Sequence, residues 1–207
     1  MNGGYEDGYK SCACFWGREP GRLVKQVARM LGDVRGLDVL DAGCGEGKNA
    51  AFFAERGATV RAVDISVIAI EHARNCFGDI ANVSWEIADI REFDLPPSSY
   101  DIVIAYGLPH CMASEPEVTA VLERLKMATK TDGLNVVCSF NERRQELCAH
   151  PGFVPTLLDH AKYLDLYSDW QLLYQSDEDL TEVHPNNGIR HTHSLTRLIA
   201  KRCRITT

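Results

Sequence analysis

The chain has 207 residues, of which 45% are hydrophobic and 25% charged, with a formal net charge of −7. That size suits one α/β domain around one core. The negative balance speaks against non-specific binding to nucleic acid or anionic membrane, which relies on neutralising phosphates, and no apolar run approaches the ~20 residues that span a bilayer.

Residues 1–35 read as an N-terminal segment in which Pro20 opens a helix running to about residue 31. From about residue 36, short apolar runs alternate with helical patterns. Strand 37–41 leads into a glycine loop and a helix over 49–56 that Gly57 stops. Strand 59–64 is followed by a helix over 67–77, opened by Ser66 as N-cap and closed by Gly78. A third strand covers 83–88, and the nearly all-apolar 100–105 is a fourth, suited to a sheet centre. A helix over 117–129 turns at 131–133 into a fifth strand, 134–140. Beyond residue 141 come a helix over 156–164, a strand at 170–174, an acidic run and a last strand at 194–200. The turn formers HPNNG at 184–188 predict that the last two strands pair as an antiparallel hairpin. The expectation is a Rossmann-like, doubly wound α/β sheet of seven strands, mostly parallel, with that antiparallel hairpin at its C-terminal end. With no repeat, low-complexity tract or linker, residues 1–207 are read as a single domain: a lid over 1–35, a core over 36–140 and an outer part over 141–207.

The opening MNGGYEDGYKSC lacks the basic-then-apolar order of a signal peptide. The eight cysteines include no C-x-x-C pair, so they are expected as reduced thiols in the cytoplasm rather than as disulfides or a structural zinc site. Arg143-Arg144 and the run 201–204 are read as a solvated helix start and a charged tail.

The segment VLDAGCGEG at 39–47 carries the most information: a buried strand enters a loop with glycine at alternate positions, then a helix begins. Gly43 and Gly45, with the small Cys44 between them, let the backbone turn tightly against a ligand at the switch point of a doubly wound sheet. A dinucleotide fingerprint would need glycine where Lys48 stands, and no phosphate-loop pattern is present. Asp41 at the strand end would repel a pyrophosphate but attract a ligand carrying an ammonium and a sulfonium, as S-adenosylmethionine (SAM) does. Asp64 ends the second strand where a carboxylate accepts both ribose hydroxyls, with Ile65 beside it. Asp89 is placed to take an adenine amine while Ile90 covers the ring. For each acid alone a helix cap or surface turn is an equal reading; three at successive strand ends describe a pocket for a cationic adenosine compound.

These segments, VLDAGCGEG, then AVDIS, then ADI, resemble motifs I, II and III of class I SAM-dependent methyltransferases over residues 37–140. The resemblance implies SAM as methyl donor, S-adenosylhomocysteine (SAH) as product, and a small-molecule acceptor chosen by the chain ends. The preamble CFWGREPGR at 14–22 and the closing hairpin look like the small tellurite-resistance (TehB-like) and thiopurine-type methyltransferases. That likeness implies that Arg18 reaches the SAM carboxylate and that His184 and Arg190 face the acceptor. Pro185 stands where a basic residue is expected after the histidine, which counts against an oxyanion acceptor such as tellurite.

Read from the residues alone, Trp16 and Arg18 are suited to lidding the pocket, and it is an equal reading that Phe15 and Trp16 pin the first helix to the core. Tyr106 and His110, after the fourth strand, are sited to border the transferring methyl, with His110 either a base or a turn cap. His191 and His193 share a strand face; with His184 they are expected to line the acceptor site, a metal centre being the least favoured reading. Methyl transfer is an in-line displacement that positioning alone accelerates strongly, so catalysis is expected from a small pocket, with His110, His184 and Tyr106 as candidate catalytic groups. The alternatives are a non-catalytic SAM-binding regulatory module, an RNA or protein methyltransferase, and a nucleotide-dependent oxidoreductase. The acidic charge disfavours the second and Lys48 the third. Oligomeric state has no signature in the sequence.

Overall fold

The computed structural model describes residues 5–150, 152–184 and 187–204. Its strands are β1 (Asp38–Ala42), β2 (Thr59–Asp64), β3 (Val83–Ile87), β4 (Tyr100–Tyr106), β5 (Thr129–Gln145), β6 (Gln171–Val183) and β7 (Arg190–Lys201). They form one seven-stranded sheet in the order β3-β2-β1-β4-β5-β7-β6. β1 to β5 pair in parallel, and β7 lies antiparallel between β5 and β6. β1 is the centre of the winding: Val39 stands opposite Val60 of β2 on one side and Ile102 of β4 on the other.

Helices α1 (Glu6–Ser11), α2 (Arg22–Leu31), α3 (Lys48–Ala54), α4 (Val67–Phe77), α5 (Glu115–Ala128) and α6 (His160–Leu166) cover the two faces. Alternate strand residues sort into two cores, as a sheet buried on both sides requires. On one face Leu23, Val27, Phe53 and Ile70 of α2, α3 and α4 pack on Val39, Val60, Ile102 and Ile104. On the other, Leu122, Leu125, Tyr163 and Tyr167 of α5 and the α6 region pack on Leu40, Val103, Val137 and Leu198. No helix of the described residues is long and apolar enough to cross a membrane.

The expected sheet, glycine loop and hairpin are present, with four local differences. β6 runs to Val183 instead of stopping near residue 174, because its acidic stretch alternates in exposure and its carboxylates find cations. Asp177 and Asp179 pair with Arg143, and Glu178 with Arg22 and Arg197. Arg143 and Arg144 accordingly sit at the end of β5 and do not start a helix. α6 begins at His160, capped by the Asp159 side chain, since the bridge between Asn141 and Leu158 keeps the chain before it extended. α1 was not expected; it is a short helix whose Tyr9 packs with Phe15 and Ala69. The hairpin closes as expected, Val183 opposite Arg190, although Pro185 lies outside the described residues.

Ser66 ties the fold to the lid. Its Oγ accepts the Ala69 N–H at 3.1 Å as the α4 N-cap and donates to Glu6 of α1 at 2.7 Å. Ser66→Ala is expected to lower unfolding stability by about 1–2 kcal/mol. In urea titrations this would appear as a lower midpoint at unchanged slope; an unshifted midpoint would show that neither bond contributes.

Candidate active site

A cavity of about 320 Å³ opens at the carboxyl ends of β1, β2 and β4, within the ~300–1,000 Å³ range of small-molecule sites. Gly43, Cys44, Gly45, Asp64, Ile65, Asp89 and Ile90 line its cofactor half. Tyr5, Tyr9, Trp16 and Pro20 cover it, and Tyr106, His110, Met112, Phe140, Leu195 and Arg197 wall the other end.

The loop after β1 is held from behind: the Gly43 and Cys44 N–H groups both donate to the Val63 carbonyl, at 2.8 and 3.0 Å. Gly43 and Gly45 have φ of 67° and 53°, the left-handed region where a side chain is strained. A Cβ on Gly43 would come within 2.8 Å of Leu108, and one on Gly45 within 2.9 Å of the Tyr9 hydroxyl. The backbone there forms a cradle that side chains would fill.

The three strand-end acids have different environments. Asp64 lines the cavity and accepts the Gly45 N–H at 2.7 Å and the Ser66 N–H at 2.8 Å. Burial pushes its carboxyl up from the usual range, and those two donors hold the rise back. Asp89 also lines the cavity, but Arg91 grips it, Nε to Oδ1 at 2.9 Å, and keeps it below the ordinary carboxylate range. Arg91 is anchored in turn on Glu117 at 2.8 Å. Asp41 differs from its expected position: it lies beneath the loop, 1% exposed, off the cavity wall. Neither of its oxygens has a hydrogen bond of ordinary geometry. Burial raises it to about 7; the nearby Ala50 N–H and Lys48 ease that rise, and Asp64 adds to it.

Arg18, expected at the cofactor, lies outside the cavity with its Nε on the Cys14 sulfur at 3.5 Å. The cation on the wall beside the glycine loop is Lys48, whose Nζ donates to the Trp16 carbonyl at 2.7 Å. Burial lowers the Lys48 pKa, while Glu182, Glu46 and Asp41 support its charge. Lys48, weighed from the sequence only against a dinucleotide, is the first residue of α3, just past the glycines, and that place is the signal for a cavity-facing side chain. Arg197 was also missed: it is 7% exposed, lines the cavity, and its Nε has no partner. Trp16 lines the cavity and packs edge-on against Tyr5 and Phe15 at centroid distances of 5.0 and 4.9 Å.

Tyr106 ends β4 on the cavity wall and packs so closely on Gly21 that a Cβ there would lie 2.6 Å from its ring. Burial pushes its hydroxyl well above the usual range. His110 is on the wall and 1% exposed. Its Nδ1 accepts the Phe140 N–H at 3.0 Å, which places the ring proton on Nε2, donated to the Tyr5 hydroxyl at 2.8 Å. Burial first, then His193 and His150, lower its pKa to about 3. The imidazole lone pair a base would use is therefore occupied, against the expected base role.

His184, His191 and His193, expected at the acceptor, do not line the cavity. His184, His191 and His193 converge on a fourth, His150, their Nε2 atoms 3.2, 3.2 and 3.3 Å from its Nε2. His150 was not singled out from the sequence, because nothing in the chain order ties it to the hairpin. Burial lowers His150 and His184 to about 4 and His193 to about 3. Glu182, which does line the cavity, lies 3.8 to 4.0 Å from three of these rings. Arg190 is exposed at the start of β7, away from the acceptor wall where it was expected.

Residues 39–133 match a family described as a methyltransferase domain. Demethylmenaquinone methyltransferase of Tropheryma whipplei (strain Twist) is 28% identical over 121 residues, 58% of this chain and 49% of its own. The 2-heptyl-1-hydroxyquinolin-4(1H)-one methyltransferase of Mycobacteroides abscessus is 38% identical over 96 residues, 45% of this chain and 40% of its own. The chain thus spans about half the length, or less, of these curated relatives. The solved structure of TehB from Haemophilus influenzae superposes with a TM-score of 0.74 over 88% of this chain and 62% of its own, at 20% identity, a likeness of fold. Sequence across the core and fold across most of the chain agree: residues 39–133 resemble a methyltransferase domain, and most of the chain shares the fold of a solved methyltransferase structure.

Proposed function

We propose that this chain is a single methyltransferase unit, acting in the cytoplasm, that carries a methyl group from SAM to a small, largely apolar acceptor. The single observation that carries the reading is the cavity itself, with acids and a glycine cradle at one end and aromatic and aliphatic side chains at the other. SAM supplies a sulfonium-activated methyl group. The residues present fit it: the glycine loop is a cradle that a Cβ would fill, and beneath it the buried Asp41 carboxyl, with no hydrogen bond of ordinary geometry, attracts an ammonium across the loop without touching it. Asp64 is the acceptor for ribose hydroxyls, Asp89 and Ile90 flank the adenine position, and Lys48, in place of Arg18, answers the carboxylate. The acceptor end is bounded by Tyr106, Leu108, Met112, Phe140 and Leu195. The Mycobacteroides relative, named for an alkyl-hydroxyquinolone, supports an acceptor of that flat, apolar kind, whether its reacting atom is oxygen, nitrogen or sulfur. The acidic surface supports a small molecule over a nucleic acid.

Positioning is the main catalytic device, since holding donor and acceptor in line supplies about 7–11 kcal/mol of the barrier. His110 positions rather than accepts a proton: by fixing the Tyr5 hydroxyl and stacking on Phe140 at 4.1 Å, it holds lid and wall together.

Calorimetry with SAM and SAH tests the pocket. Asp64→Ala is expected to weaken both by about 10–100-fold for each charged hydrogen bond lost; absence of binding to folded wild type would remove the reading. Asp41 gives a second test, in the ligand-free protein. Its folded pKa of about 7 exceeds the unfolded value of about 3.9, so its contribution to stability falls as pH rises from about 4 to 7. Asp41→Asn is expected to remove that slope, to stabilise the free protein above pH 7, and to weaken SAM binding. Denaturation across that pH range would reveal the opposite sign if Asp41 were stabilising. Finally, with an acceptor that turns over, kcat is expected to lack the limb near pH 6.5 that an ordinary histidine base produces. A limb abolished by His110→Asn would restore the base role.

A further inference from the structure

Four imidazoles and one carboxylate meet where the β6–β7 hairpin closes over the segment after β5. The Nε2 atoms of His184, His191 and His193 stand 3.2, 3.2 and 3.3 Å from that of His150. Glu182 Oε1 lies 3.8, 3.8 and 4.0 Å from the same three rings. Ligands at the ~2.0–2.1 Å bond length of a zinc–imidazole site stand about 3.3 Å apart on a tetrahedron; the spacings of His191 and His193 from His150 match this, and the four-donor group with Glu182 lies within 4.8 Å throughout, close enough to draw in around a common ion.

The outer nitrogens are already oriented for that role. His191 Nδ1–H donates to the Ile189 carbonyl at 2.8 Å, and His193 Nδ1 meets the Gln145 Oε1 at 2.7 Å. Gln145 cannot reverse, because its amide nitrogen donates to the Asn141 and Ser194 carbonyls at 2.7 and 2.9 Å. Both rings therefore carry their proton on Nδ1 and turn an Nε2 lone pair inward, the arrangement that a carbonyl or amide oxygen on the outer nitrogen imposes on metal-ligating histidines. One proton on His150 Nε2 satisfies only one of the three close contacts. The other lone pairs would be buried facing a nitrogen, since His191 and His193 have fully buried side chains. A cation at the centre satisfies them together.

We propose that His150, His191 and His193, with Glu182, bind one divalent transition-metal ion of the zinc class behind the acceptor end of the cavity, one donor atom of each lying within 4.8 Å of the others. Imidazole-rich donor sets suit zinc and its neighbours, whereas calcium and magnesium require oxygen ligands. Glu182 is the donor that also lines the cavity, so it is the ligand through which the ion communicates with the acceptor. Phe140 separates the ion from His110, its ring stacked at 4.1 Å on both His110 and His193. Phe15 and Trp16 of the lid lie 5.0 and 4.9 Å from the His184 ring. The ion therefore fastens the hairpin, the segment after β5 and the lid around the acceptor. The site stands on its own donors, independent of the methyl-transfer reading.

The test is titration of chelator-stripped full-length chain with Zn²⁺ alone and Co²⁺ alone, followed by calorimetry, thermal midpoint and visible absorption. The expected result is one equivalent per chain, a raised midpoint, and cobalt d–d bands of a four- or five-coordinate nitrogen–oxygen site. His191→Ala and His193→Ala are expected to abolish the one-equivalent binding, Gln145→Ala to weaken it about 10–100-fold, and His72→Ala to leave it unchanged. SAH binding, measured in parallel, reports whether each variant is folded. Wild type that binds SAH but takes up no stoichiometric metal overturns the proposal, as does binding equal in wild type, His191→Ala and Gln145→Ala. Should the histidine variants fail to fold, the wild-type and Gln145→Ala titrations decide. Metal uptake without SAH binding would sustain the site and count against the methyl-transfer reading.

Discussion

A doubly wound sheet must reverse its direction of winding somewhere, and where it reverses, no crossover helix covers the strand ends. Here that place is β1, with β2 on one side and β4 on the other. The cofactor half of the cavity is that gap, and the chain closes it from outside with residues remote in sequence. Tyr5, Tyr9 and Trp16 arrive from the N-terminal segment and Glu182, Leu195 and Arg197 from the hairpin. An uncovered seam in an otherwise close-packed α/β layer structure is thus a gap in the core that, among the described residues, the N-terminal segment and the hairpin both help to enclose.

Two groups near the seam lower the stability of the fold. Asp41 is buried with no hydrogen bond and Arg197 Nε has no partner, each an arrangement that costs free energy in the free protein. Asp89 by contrast is matched by Arg91 and Glu117. Arg197 belongs to the cavity wall and Asp41 lies directly beneath it, whereas the acidic residues Asp177 and Glu178 of β6 are paired with Arg22, Arg143 and Arg197 along the hairpin. That pairing lets so acidic a strand persist to Val183 and so carries Glu182 to the cavity.

The histidines divide along the same line. His110 is committed by the Phe140 N–H and the Tyr5 hydroxyl to a structural tautomer. His150, His191 and His193 present Nε2 atoms to one another with no amide or hydroxyl between them. Phe140, stacked between His110 and His193, is the layer that joins the two sets. An aromatic wall between the acceptor and a cation would keep the site apolar while letting the hairpin remain anchored.

The sequence by itself determined the sheet, the glycine loop and the acids at the ends of the first three strands, because each depends on neighbours within a few residues. Alternation of apolar runs, Ser66 ahead of a helical pattern and glycine where φ must be positive are local requirements that the chain states openly. The hairpin was legible too, since its turn formers are contiguous. Tertiary structure decided what those residues face. Asp41 sits under the loop and not on its surface, Lys48 rather than Arg18 enters the cavity, and His110 loses its free lone pair to a backbone N–H 30 residues away. His150 joins the hairpin histidines only because the chain after β5 folds back on β7, bringing side chains 34 to 43 positions apart to within 3.3 Å. Burial, tautomer and long-range convergence are properties of packing, and no spacing along the chain encodes them.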